Sequence, residues 1–134
     1  QAASVVGVEI NPKGHELALQ NITKNKLKNA TTYCGDVREI VPDLVEKEGK
    51  SDRITMTLPK LAETFLDVAL LAASKDAIIH FYAFLHEEEF STAHKWIEDA
   101  CKEAGKSYEL LETVKCGQQA PHVYRICVDI KILS

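Results

Sequence analysis

At 134 residues the chain has room for one domain and one core, and a multidomain architecture is excluded on length. Hydrophobic residues make up 46% and charged residues 27%, the balance of an ordinary globular protein and not of a disordered or low-complexity one. Sixteen Lys plus Arg against twenty Asp plus Glu leave a net charge of -4, which argues against tight, non-specific nucleic-acid binding by this chain alone.

Turn signals between periodic segments predict the order βαβαβαβαββ. Val5-Val6-Gly7-Val8 is a short apolar run of the kind a parallel strand covered on both faces produces, and Glu9 breaks it at its carboxyl end. Asn11 with Pro12 opens a helix predicted over 12–26, with Ala18 and Ile22 on its sheet-facing side. A second strand over 31–34 ends at Gly35-Asp36, a weaker helix follows over 38–46, and 47–51 is a polar loop. Arg53 to Met56 is a third strand closed by Thr57-Leu58-Pro59. Leu61, Phe65, Val68, Ala69 and Ala72 then form the apolar stripe of a helix. Ala77 to Phe84 is the strongest strand. Phe90, Ala93, Ile97, Ala100, Cys101 and Ala104 make another helical stripe, with Gly105 placed to cap it. Beyond Gly105 the period changes to two. Two alternating strands, over 110–116 and 124–132 and joined by Gly117 to Pro121, predict a hairpin at the edge of an otherwise parallel sheet. The fold class is a three-layer α/β domain.

No apolar run reaches the roughly 18 residues of a membrane span, and no basic stretch precedes an apolar one at the start, so the expected location is cytoplasmic with no membrane partner. Cys34, Cys101, Cys116 and Cys127 include no Cys-x-x-Cys pair, which argues against zinc and against a disulfide framework. The oligomeric state is left open.

In open α/β sheets ligands bind beyond the carboxyl ends of the strands. Three polar sites fall there: Glu9, Asp36 and Thr57-Leu58-Pro59. A carboxylate offers two acceptor oxygens to the adjacent hydroxyls of a ribose, and Asp36 is suited to accept from an adenine amino group. Taken singly, Glu9 also reads as a solvated strand end and Asp36 as a turn former beside Gly35. In register, the two point to a nucleoside site. The glycine-rich turn that normally lies about 20 residues before the ribose carboxylate has no counterpart ahead of Glu9.

The segments Val5 to Pro12, Gly35-Asp36-Val37-Arg38-Glu39, Asp52 to Pro59, Ile79-His80-Phe81-Tyr82, and Ala120 to Arg125 through Asp129-Ile130-Lys131 together resemble the archaeal-type tRNA (guanine-N1)-methyltransferases that act beside the anticodon. The resemblance runs over nearly the whole chain. It implies a Rossmann-like class I methyltransferase fold with S-adenosylmethionine as cofactor and tRNA as partner. By position, Glu9 would hold the ribose, Ile10 would pack by the adenine, and Asp36 with Val37 would meet the adenine edge. Thr57, Leu58 and Pro59 would form the active-site loop; Thr57 stands where the family often has Asn, one hydroxyl in place of an amide's donor and acceptor.

The resemblance further implies that the RNA-binding region, the acid-base residues, the first strand and the glycine-rich loop belong before the segment matching Ala2. Residues 1–134 would then be the C-terminal part of a catalytic domain, lacking a central strand between those formed by Val5–Val8 and Arg53–Met56. The implied activity of the longer protein is methyl transfer from S-adenosylmethionine to N1 of guanosine 37 in tRNA. Two alternatives stand beside it. One is an aminocarboxypropyl transferase of wybutosine-type tRNA modification; the other is a non-catalytic fragment or assembly module. His86-Glu87-Glu88-Glu89 with His94 reads as a solvated helix start in preference to a metal site, and His80 as a hydrogen-bonded core histidine. Trp96 and Phe90 read as packing residues in preference to base-stacking ones. Lys13, Lys24, Lys26 and Lys28 are the one basic cluster, with Arg125 a further source of phosphate contacts.

Overall fold

The computed structural model describes residues 2–134. The chain falls into two compact units, one ending at Lys47 and the other running from Glu48 to Ser134. Among the described residues every buried hydrophobic side chain belongs to the second unit, so there is one core, built from residues 62–132. No helix of the described residues is long and apolar enough to cross a membrane.

The first unit contains β1 (Val5–Glu9), α1 (Pro12–Lys24), β2 (Ala30–Cys34) and most of α2 (Val37–Glu48). β1 and β2 pair in parallel, from Val5 opposite Ala30 to Glu9 opposite Cys34. The Asn11 side chain accepts from the Lys13 amide and Pro12 occupies the first turn, so α1 starts where its sequence predicts. His15, Ala18 and Ile22 form its half-buried stripe. α2 shows the same logic in Val37, Ile40, Val41, Leu44 and Val45, all half-buried at helical spacing. One expectation fails here. β1 is not covered on both faces, since Val5 and Val6 remain 50% and 42% exposed. Within this unit the sheet has only two strands, with α1 packed against it, and that is too little protein to bury them.

The second unit holds β3 (Ser51–Met56), a 3-10 turn at Ala62–Phe65 leading into α3 (Leu66–Ala72), β4 (Ala73–His86), a 3-10 turn at Glu87–Glu89, α4 (Phe90–Glu103), β5 (Tyr108–Ala120) and β6 (Val123–Ile132). Its sheet has the order β3-β4-β6-β5. β3 runs parallel to β4, and β6 is antiparallel to both its neighbours, which is the hairpin the sequence predicts, inserted with β5 at the edge. Strict alternation in β4 buries Ala77, Ile79, Phe81, Ala83 and Leu85. Across from them, Ile126, Val128, Ile130 and Ile132 of β6 supply the same face. Each of these larger side chains contributes roughly 1.5–3 kcal/mol of burial. α3 and α4 pack on it through Leu66, Ala69, Leu70, Ala93, Ile97 and Cys101.

Two local expectations need correcting. The stripe leading into α3 is Ala62, Leu66, Ala69, Leu70 and Ala73, not Leu61, Phe65, Val68 and Ala72. Leu61 takes a left-handed conformation (φ 59°) and a 3-10 turn follows, which rotates the apolar face by one residue and leaves Leu61 65% exposed. The hairpin turn is Pro121-His122, with His122 at φ 61°, while residues 117–120 belong to β5. Gly105 does cap α4: the Lys106 amide bonds the Cys101 carbonyl at 2.9 Å and the Gly105 amide bonds Lys102 at 3.2 Å, a Schellman closure with Gly105 at φ 65°.

Among the described residues the strands form a two-stranded sheet in the first unit and a four-stranded sheet in the second.

Candidate functional site

In the first unit, Glu9 and Asp36 sit where the parallel strands stop. The Gly35 amide bonds the Glu9 carbonyl at 3.0 Å, which ties the end of β1 to the turn after β2. Glu9 Oε1 accepts from the Asn11 amide at 2.8 Å. Asp36 Oδ1 accepts from the Arg38 amide at 2.8 Å, while its carbonyl accepts from Glu39 and Ile40, so Asp36 is the N-cap of α2. Both carboxylates are thus oriented by one short local bond apiece. A carboxylate has capacity for several donors, so each retains acceptor sites for a ligand. Ile10 is 67% exposed beside Glu9, and Val37 is half-buried beside Asp36. The residues fit a ribose and an adenine edge: two oriented acceptors and an uncovered apolar side chain.

Gly14, which the sequence did not single out, lies against the Glu9 side chain. A Cβ at this position would meet Glu9 Cγ at 3.0 Å, Cδ at 3.2 Å and Oε2 at 3.4 Å. With any other residue here the Glu9 side chain would have to give by a few tenths of an ångström to lie against the first turn of α1. A glycine in the third position of a helix, with a carboxylate five residues earlier, is the signal that marks it.

The other predicted residues, Thr57, Leu58 and Pro59, belong to the second unit. Thr57 is exposed and Leu58 is 58% exposed, while Pro59 is half-buried at the rim of an open cleft of about 380 Å³ near the carboxyl end of β4. Lys60, Glu63, Phe84, Trp96 and Gln119 also line it.

On the sheet face away from α3 and α4 lies a polar chain that the sequence did not disclose. Arg53 Nη1 donates to His80 Nε2 at 2.7 Å, and His80 Nδ1 donates to Asp129 Oδ1 at 2.6 Å. Arginine can only donate, so the neutral ring carries its proton on Nδ1. Cys127 Sγ donates to the same Asp129 oxygen at 3.2 Å. Burial alone would raise the Asp129 carboxyl, but the bonds from His80 and Cys127 and the charge of Arg53 outweigh it and hold the group below its ordinary 3.8. Burial, then the bond to Asp129, pushes the Cys127 thiol up to about 12. Donor atoms of His80, Cys127 and Asp129 lie within 4.8 Å of one another. Hydrogen-bonded to one another in this way, the three side chains tie β4 to β6 as a strut. His80 is therefore hydrogen-bonded, as its sequence context suggests, though it is half-buried on the sheet and not in the core. His94 is committed elsewhere, with Nε2 on Thr113 Oγ1 at 2.9 Å. Phe90 packs edge-on against Tyr124 at 6.4 Å and Trp96 against Phe81 at 6.5 Å.

Paired parallel strand ends with an acid at each, helices in alternation and a terminal antiparallel hairpin are the features of a Rossmann-like class I methyltransferase fold. The family model described as the TRM5/TYW2 methyltransferase domain matches residues 1–111, and the chain belongs to that family. It is 32% identical over 133 residues to the tRNA (guanine(37)-N(1))-methyltransferase Trm5b of Pyrococcus abyssi, covering 98% of this chain and 38% of that protein. The crystal structure of that organism's Trm5b superposes with a TM-score of 0.89 at 31% identity, over 100% of this chain and 39% of the other. The structure of Methanocaldococcus jannaschii TYW2 in complex with AdoMet gives a TM-score of 0.85 at 25% identity, over 98% and 58%. A tRNA(Phe) (4-demethylwyosine(37)-C(7)) aminocarboxypropyltransferase of Pyrococcus horikoshii is 28% identical over 98% of this chain and 46% of its own length. The chain thus spans less than half of either curated relative.

Proposed function

We propose that the chain is the C-terminal part of the catalytic domain of a cytoplasmic tRNA (guanine-N1)-methyltransferase, and that it holds S-adenosylmethionine through Glu9, Ile10, Asp36 and Val37. The observation that carries this reading is the pair of acids at adjacent parallel strand ends, each oriented by a 2.8 Å bond from a backbone amide. The family membership and the 32% identity to a Trm5b protein support methyl transfer to N1 of guanosine 37 in tRNA as the reaction of the whole enzyme.

The cofactor's sulfonium supplies an activated methyl group. The residues of this chain bind and orient: the Glu9 carboxylate accepts the ribose hydroxyls, Asp36 accepts from the adenine amino group, and Ile10 and Val37 cover the base. Thr57, Leu58 and Pro59 form the loop that faces the target base, with the Thr57 hydroxyl as its polar contact. The general base that takes the N1 proton belongs to the preceding part of the domain, as does the strand that would pair between β1 and β3.

The test is calorimetric titration of S-adenosylhomocysteine into the chain, with Glu9→Ala as control. Binding that the variant loses supports the assignment. A folded chain that does not bind removes it. Aminocarboxypropyl transfer is the second reading, favoured by Thr57 in place of asparagine and by the 28% identical relative; retained Leu58-Pro59 favours methyl transfer. Nucleoside mass spectrometry of the modified tRNA separates the two products.

A further inference from the structure

β4 and β6 run side by side and antiparallel, with His80 opposite Asp129 and Tyr82 opposite Cys127. Side chains alternate across a strand, so Cys127 and Asp129, two apart on β6, share with His80 the sheet face turned away from α3 and α4. An imidazole, a thiol and a carboxylate thus converge from positions as far as 49 apart in the chain. The cysteine spacing that argues against zinc does not bear on such a set, because strand pairing and not proximity along the chain assembles it.

His80 Nδ1 and Asp129 Oδ1 are 2.6 Å apart, Cys127 Sγ and the same oxygen 3.2 Å, and all three donor atoms lie within 4.8 Å of one another. Bonds of about 2.0–2.1 Å from zinc to nitrogen or oxygen and about 2.3 Å to sulfur put tetrahedral donors roughly 3.3–3.7 Å apart. The three atoms stand close to those separations, and turning of the side chains supplies the difference. His80 and Asp129 are half-buried beside the buried Cys127, so the set is shielded by the sheet and open on one side. Tyr82 bonds the Cys127 sulfur and supports it from outside the set. A thiolate and a carboxylate together neutralise a divalent cation, and thiolate with imidazole selects zinc over magnesium or calcium.

We propose that His80 Nδ1, Cys127 Sγ and Asp129 Oδ1 form a zinc site whose fourth position is open to water. On binding, the Cys127 thiol gives its proton to solvent and the ring proton of His80 passes to Nε2, so that Nδ1 presents its lone pair to the metal. Arg53 Nη1, which donates to Nε2 at 2.7 Å in the metal-free strut, then turns away, as its exposed position on β3 allows. Arg53 therefore favours the hydrogen-bonded strut and opposes the metal, both through this bond and through its charge. The site belongs to the second unit, uses no residue of the proposed cofactor site and does not depend on that reading.

The test is titration of the reduced chain with cobalt(II), a zinc substitute whose thiolate charge-transfer band in the near ultraviolet reports a cysteine ligand, followed by displacement with zinc. The variants are Cys127→Ser, His80→Gln, Arg53→Met and, as a control in the first unit, Cys34→Ser, each checked for folding by circular dichroism. The expected result is one cobalt per chain with a charge-transfer band that zinc abolishes. Cys127→Ser loses the band and Cys34→Ser keeps it. His80→Gln, which removes a ligand, binds at least about tenfold more weakly, the loss that even an outer partner of a metal ligand brings. Arg53→Met binds about threefold or more tightly than the parent chain, because a cation and a competing donor have gone. That last result separates a metal site from a purely structural cluster, which loses a bond in Arg53→Met and gains nothing. Should Cys127→Ser or His80→Gln fail to fold, Arg53→Met, which keeps all three donors, decides the matter. Absence of the band with cobalt in excess, a band that survives in folded Cys127→Ser, or binding weakened by Arg53→Met overturns the proposal.

Discussion

Gly14→Ala separates the stability of the first unit from the geometry of its proposed cofactor site. Alanine is favoured over glycine inside a helix by about 1 kcal/mol, so on propensity alone the substitution strengthens α1. The added Cβ, however, arrives 3.0 Å from Glu9 Cγ and 3.2 Å from Cδ, tighter than nearly all such contacts. Neither is the free end of a side chain, because Oε1 beyond them is held by the Asn11 amide at 2.8 Å. The carboxylate therefore moves by a few tenths of an ångström, enough to misalign its bonds to a ribose. Loss of one charge-assisted hydrogen bond of about 1.5 kcal/mol corresponds to roughly tenfold in affinity. The assay pairs calorimetric titration of S-adenosylhomocysteine with thermal unfolding of the same protein. The expected outcome is an affinity about tenfold weaker with an unfolding midpoint no lower than that of the parent chain. An affinity within about twofold of the parent would show that Glu9 is not held against Gly14 in the way described. A weaker affinity accompanied by a lower midpoint would mean that α1 itself had been damaged.

Thiol reactivity should divide the cysteines in two groups: burial pushes Cys101 up to about 11 and Cys127 up to about 12, whereas Cys34 and Cys116 are exposed, so titration of the folded chain with a disulfide reagent near neutral pH should label two thiols rapidly and the other two only on unfolding. Four rapid thiols would contradict the packing around α4 and β6. Asp129 is held below its ordinary 3.8, so its contribution is fully present above that value and is lost as the pH falls through the lowered one; acid unfolding curves should show that Asp129→Asn removes part of the loss seen below pH 3.8, and identical acid slopes would refute the strut. Phe81→Ala empties the largest fully buried position and should cost about 3–5 kcal/mol in denaturant unfolding of the second unit. Hydrogen exchange should be slow in β4 and β6 and much faster in β1 and β2, whose unit contains no buried residue among those described, and S-adenosylhomocysteine should slow β1 and β2 selectively. Uniform protection across both sheets would contradict the division into two units.

The sequence carried the alternation of strands and helices because local rules write it there. Asn11-Pro12 starts a helix, Gly105 ends one, and the even spacing from Ala77 to Leu85 makes one face of a strand apolar wherever that strand is placed. The acids at strand ends were legible for the same reason, since a charge that interrupts an apolar run marks the point where a strand leaves its layer. The rotated stripe around Leu66 was not legible, because the left-handed turn at Leu61 is a response to packing that no spacing announces. Nor was the exposure of β1, which depends on how many strands stand beside it and not on its own residues.

By itself the amino-acid sequence determined the order of elements, the hairpin, and the place of Glu9 and Asp36 as acids at the ends of two strands, all of which depend on residues near one another along the chain. Tertiary structure alone decided the contacts between residues far apart: Arg53 with His80 and His80 with Asp129 across three strands, and Glu63 with Trp96 around one cleft. The physical reason is that hydrogen bonds and close packing act over a few ångströms of space, and only the register of β3, β4 and β6 and the docking of the helices bring those atoms within reach.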